Sequence, residues 1–458
     1  MGDFRRDAHA IVDQLADYLE SAQRGEGRAI PYEEPAAQYG YWRDWSGDLP
    51  QLVADVLARS TAVHHPGYTG HQVAVPSVDA VLAGWVSELL NNGSAVYEMG
   101  MANLALERRC TEELCAAFGL PAGAGGVLTS GGSLANLTAM LAARAAQAPQ
   151  AEASSLCVLA SDQAHYCIDR AARIMGWGAE GVVPLRTDPA YRVSEVAALE
   201  EGLAEARRRG RRPVAVVGMA CTTSTGSYDD LALLANFAAR EALWLHVDAA
   251  HGGAARFRAS EAHLVAGIER ADSITLDAHK MMRVPALTTA LLYARGGDGF
   301  RAFAQRADYL WADDEGEWYH GGQRTVECTK LMLGLRLFAQ LRDGGLARVG
   351  AYVAGQHALA RAFAKTLAAR PDWELACAPQ SNIVCFRHRP PHLTEPGASD
   401  AHNVELRERL LRDGRYYVVS TRLRGVYWLR VTLMHPGTDA AALVAWLREQ
   451  AAATPSSV

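Results

Sequence analysis

The run Ser273-Ile-Thr-Leu-Asp-Ala-His-Lys280 has β-strand character and closes on a lysine. A lysine at the end of a buried strand is costly unless its charge is used. Burial lowers its pKa and frees the amine for Schiff-base chemistry with a carbonyl. A second run, Leu243-Trp-Leu-His-Val-Asp248-Ala-Ala-His251, ends its strand on an aspartate. Together they supply what pyridoxal phosphate (PLP) requires, an acid to keep the pyridine nitrogen protonated and an amine to hold the aldehyde. The sequence therefore reads as that of a PLP-using chain centred on Lys280 and Asp248.

A phosphate needs its own seat. Leu128-Thr-Ser130-Gly131-Gly132-Ser133 follows a strand and opens a helix, so glycines, free helix amides and the Ser133 hydroxyl coincide. The same run also reads as a tight turn with an N-cap serine. It lacks the Gly-Lys-Ser/Thr of a nucleotide-binding P-loop and the spacing of a dinucleotide fingerprint. Thr222 and Thr223, beyond another strand, are candidates for phosphate or ring contact, or a simple cap. His165, in Ser161-Asp-Gln-Ala-His165, offers a flat imidazole that could stack on a pyridine ring.

Positioning these groups requires an α/β sheet. Strands are predicted at 126–129, 156–160, 214–218, 244–247, 273–276 and 289–293, with helices at 133–146, 194–209 and 230–241 between them. Such alternation argues for a mostly parallel sheet with ligands at the carboxyl ends of its strands. Residues 1–75 begin with an amphipathic helix carrying Ile11, Leu15, Tyr18 and Leu19, then turn Pro- and aromatic-rich; this region reads as an arm wrapping another surface. Residues 76–345 form the large domain, and 346–458 a smaller α+β domain with a helix at 348–369, strands at 383–386 and 428–432, and a closing helix at 439–450. The 458 residues carry a formal charge of -6, which argues against a nucleic-acid partner. Eight scattered cysteines form no Cys-x-x-Cys pair, so neither a metal site nor a disulfide framework is indicated. The charged start and the absence of a membrane-length apolar run make the cytoplasm the expected location.

Four runs, Thr129-Ser-Gly-Gly-Ser133, Ser161-Asp-Gln-Ala-His165, His246-Val-Asp-Ala-Ala-His251 and Asp277-Ala-His-Lys280, occur in an order that resembles the group II PLP-dependent amino-acid decarboxylases. The resemblance extends from the Phe4-Arg-Arg helix to Arg430-Val-Thr-Leu-Met-His-Pro436. It implies the fold type I architecture of PLP-dependent transferases, with a seven-stranded sheet, a small C-terminal domain and an N-terminal helical arm. It further implies loss of carbon dioxide from an L-α-amino acid to give the amine. Lys280 would hold the cofactor and Asp248 pair with its ring nitrogen, with His165 on one ring face and Ala250 on the other. Gly132, Ser133, Asp277 and His279 would surround the phosphate, with Thr222 or Thr223 close by. Arg430 would grip the substrate carboxylate through its bidentate fork.

In Gln305-Arg-Ala-Asp-Tyr309, Tyr309 is the implied proton donor to the product carbon, the other reading being a helix-end residue that packs its ring. His71, Gln72, Tyr97 and Glu98 fall in runs that line the substrate pocket in this family; aromatic, acidic and diamino substrates all remain open. Family members are homodimers with shared active sites, which suits the arm. His435 and Met281-Met282 depart from the usual pattern. Oxidative deamination to an aldehyde, transamination or carbon–carbon cleavage on the same scaffold are the alternatives, with a non-catalytic subunit last.

Overall fold

The computed structural model describes residues 4–303, 317–393 and 396–453. Two compact units divide the chain, Pro76–Gly355 as one and Met1–Val75 with Gln356–Val458 as the other.

The larger unit is built on seven strands: β1 Gly125–Thr129, β2 Leu156–Ser161, β3 Val182–Leu185, β4 Arg212–Met219, β5 Trp244–Asp248, β6 Ser273–Asp277 and β7 Thr289–Tyr293. Their order is β1-β7-β6-β5-β4-β2-β3. Neighbours from β6 to β3 are parallel, while β7 runs antiparallel to both β6 and β1. This is the mostly parallel seven-stranded sheet expected, and all six predicted strands are present. The missed strand is β3, whose Val-Val-Pro-Leu sequence carries a proline. Proline cannot donate to a ladder and is tolerated at a sheet edge, where β3 lies.

Buried aliphatic strands and the helices covering them make one core, in which Met140, Trp177, Trp244 and Tyr293 are almost wholly enclosed. Parallel strands covered on both faces read as continuous apolar runs, which is why they were legible. The register of β1, β7 and β6 sets Thr129 and Asp277 on either side of Thr289, so two strand ends meet at one point.

Edge strand β1 leads into the Ser130–Ser133 turn, and side chains clamp its outer backbone. Glu107 Oε1 accepts from Leu128 N at 2.9 Å, Lys330 Nζ donates to the Leu128 carbonyl, and Arg324 Nη2 donates to Gly126 O at 2.6 Å. Lys330 Nζ also lies 3.1 Å from Glu107 Oε1, both side chains being buried. Removing one partner of such a pair strands a buried charge, at a cost of about 3–5 kcal/mol. Lys330→Met is therefore expected to lose about that much stability in chemical denaturation, and addition of Glu107→Gln to restore most of it. A single variant costing under ~1 kcal/mol would show that the pair carries no such burden.

In the second unit, β8 Trp373–Leu375, β9 Ile383–His388, β10 Val419–Leu423 and β11 Val426–Thr432 form an antiparallel sheet in the order β10-β11-β9-β8. Its core gathers Phe363, Trp373, Phe386 and Trp446. Where the sequence set residues 1–75 apart, the backbone around residues 67–69 joins this unit. Tyr417 N donates to Gly67 O at 2.9 Å and Thr432 N to Thr69 O at 2.8 Å. That junction is made by backbone pairing, which carries no periodic signal.

Candidate active site

Asp277 is the last residue of β6, and the turn that follows carries Lys280 back over it, with Lys280 N bonded to Asp277 O at 3.2 Å. Lys280 Nζ reaches Asp277 Oδ2 at 2.8 Å. Thr289 Oγ1 donates to Asp277 Oδ1 at 2.5 Å, and His279 Nε2 stands 3.7 Å from Oδ2. Burial alone would push this carboxyl up. The charges of Lys280 and His279 and the hydrogen bonds from Lys280 and Thr289 outweigh it and hold Asp277 below the usual carboxylate range.

From the sequence alone, burial is expected to lower the lysine. Burial does act that way, but the carboxylate of Asp277 outweighs it, and Lys280 is held above the ordinary lysine value. With Asp277 at contact distance, the ammonium is favoured and must shed its proton before it can attack a carbonyl.

The helix Gly132–Gln147 starts against this carboxylate. Gly131 has φ +120°, a conformation glycine tolerates, and a Cβ on Gly132 would meet Asp277 Oδ1 at 2.7 Å. The turn thus needs both glycines, and it presents the first helix amides, which have no intrahelical partners. Asp248 ends β5 and is 4% exposed. Its Oδ2 accepts from Asn136 Nδ2 at 2.9 Å and its Oδ1 from Ala250 N at 3.2 Å. Burial pushes Asp248 up, and the Lys280 charge opposes this only in part. His165 lies four residues past β2, its Nδ1 accepting from Cys167 N at 3.4 Å. Burial holds its imidazole below the usual histidine value despite the pull of Asp248, so it is neutral near pH 7.

These groups line one cavity of about 330 Å³: Gly132, Ser133, His165, Thr223, Asp248, Ala250, Asp277, His279 and Lys280. Thr222 is not among its lining residues. Its hydroxyl is held in its own loop, 2.8 Å from Thr225 Oγ1 and accepting from Ser227 N at 3.1 Å. Of the two threonines, Thr223 is the one at the cavity. Tyr97 and Glu98 do not line it either; they occupy the exposed first turn of the helix Tyr97–Phe118, where Tyr97 packs edge-on to Tyr319 at 5.5 Å. Tyr309 lies outside the described residues.

Arg430, His71 and Gln72 belong to the other unit. Arg430 is a buried residue of β11, and its charge adds to burial in lowering His71, whose ring lies 5.7 Å from that of Tyr417. Gln72 Nε2 is buried without a hydrogen-bond partner among the described residues.

Asn136, Cys167, Met219 and Cys221 also line the cavity, and none is among the site residues expected from the sequence. A signal existed for three of them. Asn136 is one helical turn past Gly132 and so faces the same way, and Met219 and Cys221 sit at the carboxyl end of β4.

The donor set matches the parts of PLP one by one: an amine for the aldehyde, a buried carboxylate for the ring nitrogen, and helix amides with hydroxyls for the phosphate. No helix among the described residues is long and apolar enough to cross a membrane, and none of their His, Cys, Asp and Glu side chains cluster as a metal site.

Known proteins resemble this chain in sequence and fold. The profile of the pyridoxal-dependent decarboxylase conserved domain matches residues 41–389. The chain is 30% identical over 432 residues to L-2,4-diaminobutyrate decarboxylase of Rhizobium meliloti (strain 1021), covering 93% of this chain and 86% of that one. It is 28% identical over 390 residues to aromatic-L-amino-acid decarboxylase of Bacillus atrophaeus, covering 84% and 81%. Among solved structures, Oryza sativa TDC with PLP and tryptamine superposes with a TM-score of 0.88 at 23% identity, covering 98% of both chains.

Proposed function

Because this chain belongs to the pyridoxal-dependent decarboxylase family and is thus a PLP-dependent carboxy-lyase of amino acids, we propose that Lys280 and Asp248 are the centre of its active site, acting on an L-α-amino acid to release carbon dioxide and the amine. The observation that carries this is the meeting of Lys280 and buried Asp248 in one cavity at the ends of neighbouring parallel strands. When bound, PLP supplies an electron sink for the carbon that loses its carboxylate.

The chain's own residues do the rest. Lys280 would hold PLP at its aldehyde end. Asp248 keeps a proton on the ring nitrogen, and neutral His165 and small Ala250 give the ring two uncharged walls. Gly132, Ser133, Thr223 and His279 receive the phosphate. Arg430 binds the substrate α-carboxylate, and Tyr309 returns a proton to the product carbon.

A second copy of the chain is the proposed partner. Val78, Leu82, Trp85, Val86 and Leu89 recur at helical spacing on the helix Val78–Leu90 and are each between 43% and 68% exposed. An apolar stripe of that kind supports burial against another surface. The proposed state is a homodimer in a reducing compartment, where the free cysteines of the described residues stay reduced.

Product analysis tests this function. Protein with PLP is given a pool of standard and non-standard L-amino acids, with diamino acids first, as the Rhizobium meliloti relative suggests. Carbon dioxide with an equal amount of amine is expected. Aldehyde with ammonia, or no carbon dioxide from any substrate, would overturn the proposed reaction.

A further inference from the structure

Behind Asp248 runs a line of buried polar groups that the chemistry above does not use. Trp244 Nε1 donates to Ser273 Oγ at 2.8 Å. Ser273 Oγ lies 2.8 Å from His246 Nδ1, and His246 Nε2 lies 3.0 Å from Asn136 Oδ1. Asn136 Nδ2 then donates to Asp248 Oδ2 at 2.9 Å and stands 3.2 Å from Cys167 Sγ. Trp244, Ser273, His246, Asn136 and Asp248 are all buried, so no solvent replaces a missing contact.

The protons in this line can be assigned. An ionised carboxylate only accepts, so the Asn136 amide turns its NH2 to Asp248 and its oxygen to His246. That oxygen needs a donor, so His246 carries its hydrogen on Nε2. Burial holds His246 down to about 4, so the ring is neutral and Nδ1 is bare. Nδ1 takes the Ser273 hydroxyl hydrogen, and the Ser273 oxygen is the acceptor for Trp244. Every hydrogen points the same way, toward Asp248. With the other tautomer, two acceptors would face each other at Asn136, and the amide would turn its oxygen on the carboxylate.

We propose that Trp244, Ser273, His246 and Asn136 form a one-way donor relay that aims Asp248 and holds it as a carboxylate, making them positioning residues for the proton on the ring nitrogen of PLP. The proposal rests on the reading of Asp248 given above. It answers a specific difficulty: burial raises this carboxyl toward its neutral form, and a neutral acid cannot serve as counter-charge to a protonated ring. Besides the relay, Asp248 faces the charges of Lys280 and Asp277 and the neutral ring of His165, which the relay leaves unchanged.

The test compares Ser273→Ala, His246→Phe, His246→Gln, Asn136→Leu and Asp248→Asn, each titrated as apo-protein with PLP and assayed on the amino acid the enzyme turns over. Loss of one charge-assisted hydrogen bond predicts a roughly 10- to 100-fold fall in kcat and a weaker PLP affinity for Asn136→Leu and His246→Phe, with KM within about twofold. Ser273→Ala, which frees the tautomer, is expected to lose roughly 3- to 10-fold. His246→Gln, which can still donate to Asn136, is expected to recover most of the His246→Phe loss, a rescue that packing alone does not produce.

If Asp248→Asn is impaired while Ser273→Ala and Asn136→Leu match the parent in PLP affinity and kcat, the relay is overturned and Asp248 stands. If Asp248→Asn itself matches the parent, the assignment of Asp248 fails, and the relay with it. Should His246→Phe not fold, Ser273→Ala decides, since it removes a single oxygen.

Discussion

Lys280→Ala is expected to lower carbon dioxide release by on the order of 10⁴-fold or more, the scale seen when a covalently acting side chain is removed. It should also leave the protein without the visible band of lysine-bound PLP. Lys280 supplies the one amine among the described residues lining the cavity, so nothing there can take its place. A second readout is the pH dependence of apo-protein stability. Asp277 sits below the usual carboxylate range because Lys280 and its other partners outweigh burial. A depressed carboxylate contributes stability above its unfolded value, near 3.8, and loses it as pH falls through the lower folded value.

Without Lys280, burial prevails and Asp277 moves the other way. The variant is therefore expected to be less stable at pH 7 by about 3 kcal/mol, the cost of breaking a buried pair. The gap should narrow as pH falls through the raised value of the variant's Asp277 and on toward the lowered value of the parent's. Chemical denaturation at pH 7 and pH 3.5 measures both ends. A gap independent of pH would deny the Lys280–Asp277 pair, and retained turnover would remove Lys280 from the reaction.

The parts of this site that lie next to one another in sequence were the legible ones. Apolar strands ending in Asp248 and Asp277-Ala-His-Lys280 announce both their element and their chemistry, because a charged group at the end of a buried strand needs a reason. The Ser130–Ser133 turn was legible for the same local reason. What sequence could not carry was the pairing across elements. Asp277 was read as a phosphate neighbour, yet the turn after β6 folds Lys280 onto it, and that contact reverses the expected direction of the lysine pKa.

Asn136 was missed because its meaning comes from β5, more than a hundred residues away. Thr222 and Thr223 are adjacent and chemically alike, and only the loop beyond β4 decides which one faces the cavity. In the fold, β3 was hidden by a proline that only its edge position tolerates, and β8 by being three residues long. The strand β10, Val419–Leu423, went unread because its middle residues face outward and carry little apolar signal.

Asp248→Asn is expected to cut kcat about a thousandfold while PLP still attaches to Lys280 at saturating cofactor, the scale set by removing one preorganised charge from an active site. The substitution keeps the size and shape of the side chain, so the cavity is unaltered. What it removes is the negative charge, and without it the ring nitrogen has no reason to keep its proton at neutral pH. The other carboxylate lining the cavity, Asp277, cannot substitute, because it is committed to Lys280 and Thr289.

Stability gives an independent check with the opposite sign. Burial raises Asp248 above its unfolded value, so in the apo-protein it adds stability only at low pH and loses it as pH rises through the folded value. An uncharged asparagine escapes that penalty, and the apo variant should be at least as stable as the parent at pH 7. If the variant keeps turnover within tenfold, the ring proton is not held by Asp248. If it instead unfolds more easily at pH 7, the residue serves the fold rather than the reaction. Cofactor retained, turnover lost and fold no weaker is a combination that only a charge held for chemistry produces.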